Sequence, residues 1–166
     1  MAIVSTPRYD AAFGRNAAVI QPHAGGGQFY AIGGYVLLGT DFDDADIAPL
    51  IPLPSTMTVT DVKVWTDGAS GGTAVVDIGL YTLSSDGDTA TVVDDDYFDA
   101  GFDITTAAKN TSVIDGAVTV ADMNQPLWEA AGLTAQPTDT LWLCLTGETA
   151  DITAATAVFV QVEGFL

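Results

Sequence analysis

His23 is the single histidine of the chain, and it bounds the acid–base chemistry that the residues could support. A Ser-His-Asp triad would have to use it, yet it stands two residues before Gly25-Gly26-Gly27, where no rigid support for a general base is expected. No Gly-rich loop followed by Lys offers a phosphate cradle, and no dinucleotide fingerprint opens a helix. Paired carboxylates of the kind used in glycoside hydrolysis are open to any Asp-rich fold, and nothing singles out one pair. Cys144 is alone, which excludes an internal disulfide and a Cys-based metal site. Its setting, Leu141-Trp142-Leu143-Cys144-Leu145, reads as a buried apolar thiol and not as a nucleophile. The expectation is a protein without enzymatic activity.

Two acidic clusters raise the question of a metal. Asp41, Asp43, Asp44 and Asp46 fall within one short stretch, and Asp94, Asp95, Asp96 and Asp99 within another. Calcium takes six to eight hard oxygens, which dense Asp loops supply. Neither cluster has the glycine and distal Glu of an EF-hand loop, and neighbouring Asp side chains on a strand point to opposite faces. Both clusters are therefore read as solvated turns and no cofactor is expected. Asp41, Asp43, Asp94 and Asp96 are the residues to watch for calcium.

Acids outnumber bases 22 to four, for a net charge of -18, and the bases are Arg8, Arg15, Lys63 and Lys109. Nineteen of the acids are Asp, a residue of turns and loops, which leans toward a loop-rich β protein. Nucleic-acid binding needs Lys and Arg to displace counterions, and four bases cannot supply that footprint. An anionic membrane would repel the chain as well, and no apolar run approaches the ~20 residues of a membrane span. Mimicry of DNA by the acids would need a regular phosphate-like spacing, which is not visible. At seawater ionic strength the Debye length is about 4 Å, so a saline setting or a cationic neighbour would make this charge tolerable. No basic region followed by an apolar run opens the chain, so no secretory signal is expected.

The elements that must carry these residues are strands. A chain of 166 residues with 48% hydrophobic content has enough material for one core. Strands are expected over residues 29–38, 56–66, 73–83, 113–120, 138–146 and 157–165, six or seven in all. Asp67-Gly68, Asp86-Gly87, Asp115-Gly116 and Gly147 punctuate them at intervals too short for long helices. Gly33-Gly34 signals a bulge or a close backbone approach. Residues 47–54 carry Pro49, Pro52 and Pro54 and cannot form a central strand, so they are an apolar connection or an edge. Residues 121–132 hold a short helix limited by Pro126. The expected architecture is all-β: an antiparallel β-sandwich, jelly-roll-like, forming a single domain over residues 29–166. Residues 1–28 stand apart as an extended N-terminal arm with a glycine hinge. Two Arg against one Asp give residues 1–23 a formal charge of +1, so the acidity belongs to the body.

One stretch goes beyond a generic β pattern. Leu53-Pro54 leads into Val59-x-Asp61-Val62-x-Val64-x-Thr66-Asp67, then the turn Gly68-Ala69-Ser70-Gly71-Gly72-Thr73. Val76-Asp77-Ile78-Gly79-Leu80-Tyr81 and Val93-Asp94-x-Asp96-Tyr97-Phe98 follow. Over residues 35–105 this resembles the head-decoration, or capsid cement, proteins of tailed bacteriophages. The resemblance implies a structural virion protein on the outer capsid surface, binding the major capsid protein, often as a homotrimer, and strengthening the shell. It carries over no set of site residues. The residues themselves point to the arm as the part able to dock: Arg8 and Arg15 to pair with carboxylates, Tyr9 and Phe13 as apolar anchors, on the capsid or on a sister subunit. A carbohydrate- or receptor-binding β-sandwich of a phage fibre or surface protein is the alternative, with Trp65, Trp128 or Tyr97 as exposed aromatics. A secreted calcium-binding adhesin is a third reading, weakened by the missing signal.

Overall fold

The computed structural model describes residues 29–166, apart from 69–72, 115–117, 120, 139, 150, 151 and 153. The expected arm and hinge, with Arg8, Tyr9, Phe13, Arg15 and His23, lie outside the described residues. Eight strands follow in order: β1 (Phe29–Leu38), β2 (Ile47–Leu53), β3 (Thr58–Thr66), β4 (Val75–Leu83), β5 (Ala90–Asp103), β6 (Ala108–Ser112), β7 (Leu141–Thr149) and β8 (Thr156–Phe165). They form two antiparallel four-stranded sheets, ordered β1-β8-β3-β6 and β2-β7-β4-β5.

One rule generates both sheets. β1 pairs with β8, β2 with β7, β3 with β6, and β4 with β5. That is the pairing of one long antiparallel ribbon whose tip is the β4–β5 turn. Rolling the ribbon adds β3–β8 and β4–β7 and stacks the sheets in jelly-roll-like order. The tip is built by Gly87 at φ 76°, with the Asp86 carboxylate accepting hydrogen bonds from the Ser84 hydroxyl (2.6 Å) and the Asp88 amide (3.1 Å).

Between the sheets lies the main core, which includes Leu38, Leu53, Val62, Ile78, Phe98, Leu143 and Val160. β7 is apolar on both sides: Leu141, Leu143 and Leu145 enter this core, while Trp142 and Cys144 join Ile47, Tyr81 and Leu83 in a smaller cluster on the sheet's other face. Cys144 is fully buried there, which pushes its thiol well above the ordinary range and agrees with the apolar reading. Gly34 marks a close approach and not a bulge. The β1–β8 register is continuous, and a Cβ on Gly34 would crowd the Leu50 carbonyl and Ile51 of β2.

Two expectations need correction. Described residues of the stretch 113–120 form no strand; the strand lies just before it, as β6. β6 is a polar, exposed edge, so no apolar period announced it, and only Val113, whose amide donates to the Val62 carbonyl (2.9 Å), is buried beside it. β5 was expected as an Asp-rich turn and is instead a 14-residue strand. In β3 the alternation changes phase at Thr60, where the register with β8 shifts, so Val59, Val62 and Val64 all face the core. Residues 47–53 form an edge strand, as the prolines require, with a register shift after Pro49. Pro126 caps α1 (Leu127–Ala130), preceded by a 3-10 turn at Asp122–Asn124.

Candidate docking faces

The two sheets present outer surfaces of opposite character. Strands β2, β7, β4 and β5 carry seven acids, Asp77, Asp94, Asp95, Asp96, Asp99, Asp103 and Glu148, and no base. Strands β1, β8, β3 and β6 carry Asp61, Glu163, Lys63 and Lys109, and both lysines of the chain are thus on one sheet. Lys63 bridges Glu163 (2.8 Å) and Asp61 (3.3 Å), and the hydrogen bond to Glu163 is the main cause that raises its ammonium above the ordinary range.

Apolar exposure collects on that second, low-charge sheet. Phe29, Tyr35 and Leu37 of β1 stand out from it at 58%, 48% and 55% exposure, with Phe165 beside Phe29. Phe29 and Phe165 meet edge to face, their centroids 5.9 Å apart. At the other end Tyr35 joins Trp65 and Phe159, whose centroids are 5.3 Å apart, around a cleft of about 220 Å³ also lined by Ala157, Asp67 and Lys109. Of the aromatics considered from sequence, Trp65 lies here, whereas Tyr97 is buried in the core and Trp128 is half-buried against it. Tyr35, Leu37 and Phe159 were not singled out. β1 is apolar at both parities, and a strand of that kind reads as buried on both faces.

The acidic clusters divide. Asp41 and Asp43 belong to the β1–β2 loop, where the Asp46 carboxylate accepts the Asp43 amide (3.1 Å) in a local turn. Asp94, Asp95 and Asp96 do converge: each offers a carboxylate oxygen, all within 4.8 Å of one another. A distortion of β5 permits this. Its register against β4 jumps between Ile78, which faces Asp99, and Leu80, which faces Asp94, so the strict alternation that would separate neighbours is lost. Three oxygens are half of what calcium's smallest shell takes, so the cluster is an incomplete cage on its own side chains.

Electrostatic cost is visible at this cluster. Burial, then hydrogen bonding with and repulsion from Asp96, raises the Asp94 carboxyl above the ordinary 3.8. Asp77 is raised as well, by burial first and then by Glu148, Asp95 and Asp96, against the opposing hydrogen bond from the Gly101 amide (2.9 Å). Raised folded values mean that the native state holds more protons than the unfolded chain just above pH 3.8, so stability falls as pH rises through that window. Asp103 and Asp122 act in the opposite sense. Hydrogen bonds from Thr105 and Thr119 lower them, so their contribution is lost only below 3.8. Stability is therefore expected to peak near the ordinary carboxylate value, at pH ~4, and not at neutrality. Calorimetry across pH 3 to 8, approximate limits set by the carboxylate range, checks this; a Tm that falls steadily from neutrality downward contradicts it.

The class of protein defined here is an eight-stranded, jelly-roll-like β-sandwich with one acidic outer face and one nearly neutral, aromatic face. Solved assemblies contain chains of the same fold. A chain in the capsid of Ralstonia phage GP4 matches with a TM-score of 0.63 at 15% identity over 99% of both chains. A chain in the capsid asymmetric unit of cyanophage Pam1 matches with a TM-score of 0.56 at 16% identity, over 92% of this chain and 95% of that one. At such identities the likeness shows the fold. No protein-family model and no curated protein matches the chain.

Proposed function

We propose that the chain is a structural protein of a bacteriophage virion that binds the outer surface of the capsid and stabilises the shell. The observation that carries this reading is the end-to-end likeness to capsid-assembly chains: at 99% coverage of both, the GP4 chain is of about this size and shares the whole sandwich. The acidic body supports it from another side, because a net charge of -18 keeps free copies soluble and leaves attachment to the capsid to a segment that is not acidic. That segment is residues 1–23. Arg8 and Arg15 pair with carboxylates of the major capsid protein while Tyr9 and Phe13 fill apolar pockets, and the sandwich stays outside as a solvated body.

Cosedimentation with undecorated heads tests the proposal. The full chain is expected to saturate the heads at a fixed copy number and to raise their resistance to heat or chelator. Removing residues 1–23 is expected to weaken binding by about 100-fold or more, the scale of two charge-assisted pairs and two aromatic anchors. Circular dichroism of the shortened chain should keep the β spectrum. Undiminished binding without those residues refutes the role of the arm, and no binding by the full chain refutes the capsid reading.

A second reading rests on the cleft of Tyr35, Trp65 and Phe159. Aromatic rings beside Asp67 and Lys109 suit a sugar ring, with apolar faces for stacking and polar groups for its hydroxyls. Saturable quenching of tryptophan fluorescence by oligosaccharides, lost in Trp65→Ala, would favour a glycan-binding module.

A further inference from the structure

Each sheet of an open sandwich has two edge strands, and each edge invites pairing unless something blocks it. Three of the four edges here are blocked. β2 carries Pro49 and Pro52 and a register shift. β5 is distorted at three points and bears Asp94, Asp95, Asp96, Asp99 and Asp103. β6 has only five residues, includes Lys109, and shifts register against β3. β1 has none of these devices. Its ten residues, Phe-Tyr-Ala-Ile-Gly-Gly-Tyr-Val-Leu-Leu, hold no proline and no charge, run in unbroken register with β8, and among the described residues pair with β8 alone.

From this we infer that β1 joins two copies of the chain edge to edge, antiparallel, about a two-fold axis at Gly33. Side-chain direction requires the two-fold to pass through a residue and not between residues, and Gly33 lies at the middle of the strand. Cross-strand partners must face the same way, so the two-fold pairs Phe29 with Leu37 of the other copy and Ala31 with Tyr35 on the outer face. On the core side Tyr30 meets Val36, and Ile32 meets Gly34. Every pair is apolar or small, and no charge meets a charge. Gly33 at the axis leaves room where the two strands cross, beneath the ring of Phe159. The result is one eight-stranded sheet running through both copies.

Charge selects a second copy as the occupant of this edge. Two chains of net charge -18 repel, and they approach most easily along the sheet where Lys63 and Lys109 nearly balance Asp61, Glu163 and the flanking Asp67. The area is adequate as well. Phe29, Tyr35, Leu37 and Phe165 expose about half of their surface each, roughly 400 Å² of apolar area, which is the scale of a monomer's largest patch. With the strand-pairing atoms and the polar rim it approaches the ~800 Å² per partner of a standard interface.

The experiment uses the full chain and needs no capsid, so it can fail separately from the proposed function. Native mass spectrometry and light scattering are expected to show a dimer that added salt strengthens, because salt screens the repulsion. The double variant Ala31→Lys/Leu37→Lys places charge on the edge and lowers the net negative charge, yet it is expected to raise the dissociation constant by at least about tenfold. Phe29→Cys/Leu37→Cys is expected to oxidise to a covalent dimer while neither single variant does so; the two positions are too far apart on one copy to bridge within it. A monomer at all concentrations, or a dimer or trimer indifferent to the two lysines, overturns the proposal. So does a monomer whose β1 amides lose exchange protection when residues 1–23 are removed, which would assign the edge to the arm. Fluorescence quenching by a sugar in a monomeric chain would assign the face to a glycan.

Discussion

Phe98→Ala is expected to destabilise the fold by about 4 kcal/mol, a large share of the 5–15 kcal/mol that holds a typical domain together. Phe98 has no exposed surface, and its ring meets Tyr97 edge to face with centroids 4.8 Å apart. Both rings belong to the main core although they are consecutive residues of one strand. A regular strand would send one of them to solvent. The distortion of β5 turns both inward, so the substitution empties a space flanked by a second large ring that cannot collapse into it. Burial contributes to Tyr97 in another visible way, pushing its phenol up to about 12. Urea titration of the variant should show the loss in the midpoint with little change in slope. Val92→Ala, at an exposed position of the same strand, is the control and should stay within about 0.5 kcal/mol. A loss below about 1.5 kcal/mol for Phe98→Ala would mean that the strand re-registers and that the distortion is not a fixed feature of the fold.

That distortion also explains what could be read from the residues and what could not. β1, β4, β7 and β8 were legible because runs of β-branched and aromatic residues between turn formers mean strand whichever face is buried. Residues 47–54 were legible in a negative way: prolines forbid a central strand, and β2 is an edge. β5 and β6 were hidden for opposite reasons. β6 is an exposed polar edge with no apolar period to find, while β5 interrupts its own period with Asp94-Asp95-Asp96 and recovers it only after a register jump. Convergence of those three carboxylates depends on the jump and therefore could not be seen in spacing alone. The apolar outer face was hidden in plain view. Tyr35 and Leu37 alternate with Val36 and Leu38, and nothing local says which set meets the core. The sharing of net charge between faces is a product of topology, since β1, β3, β6 and β8 come together only when the ribbon rolls.

Gly79→Ala is the second large effect expected, and it isolates the same feature from the opposite strand. Gly79 sits inside β4, a central strand between β7 and β5, where glycine ordinarily weakens a sheet. Its use here is space. A Cβ at this position would overlap the carbonyl of Asp95 and press on that of Asp94, both backbone atoms that cannot swing aside. Either β4 is forced from β7 or the β5 segment carrying Asp94, Asp95 and Asp96 is lifted away, and the expected cost is about 3 kcal/mol. Gly132→Ala separates space from backbone strain. Gly132 has φ of 72° but open surroundings, so its replacement should cost only about 1 kcal/mol, all from the left-handed conformation. Thermal and urea melts of the two variants should therefore differ by about 2 kcal/mol, with Gly79→Ala the weaker protein. The pH profile adds a signature that a simple loss of packing would not give. If the segment lifts, Asp94 regains solvent and its carboxyl returns toward 3.8, so the gain in stability on acidification shrinks. An unaltered pH profile together with a full loss of stability would place the damage in the β4–β7 ladder and leave the β5 cluster intact.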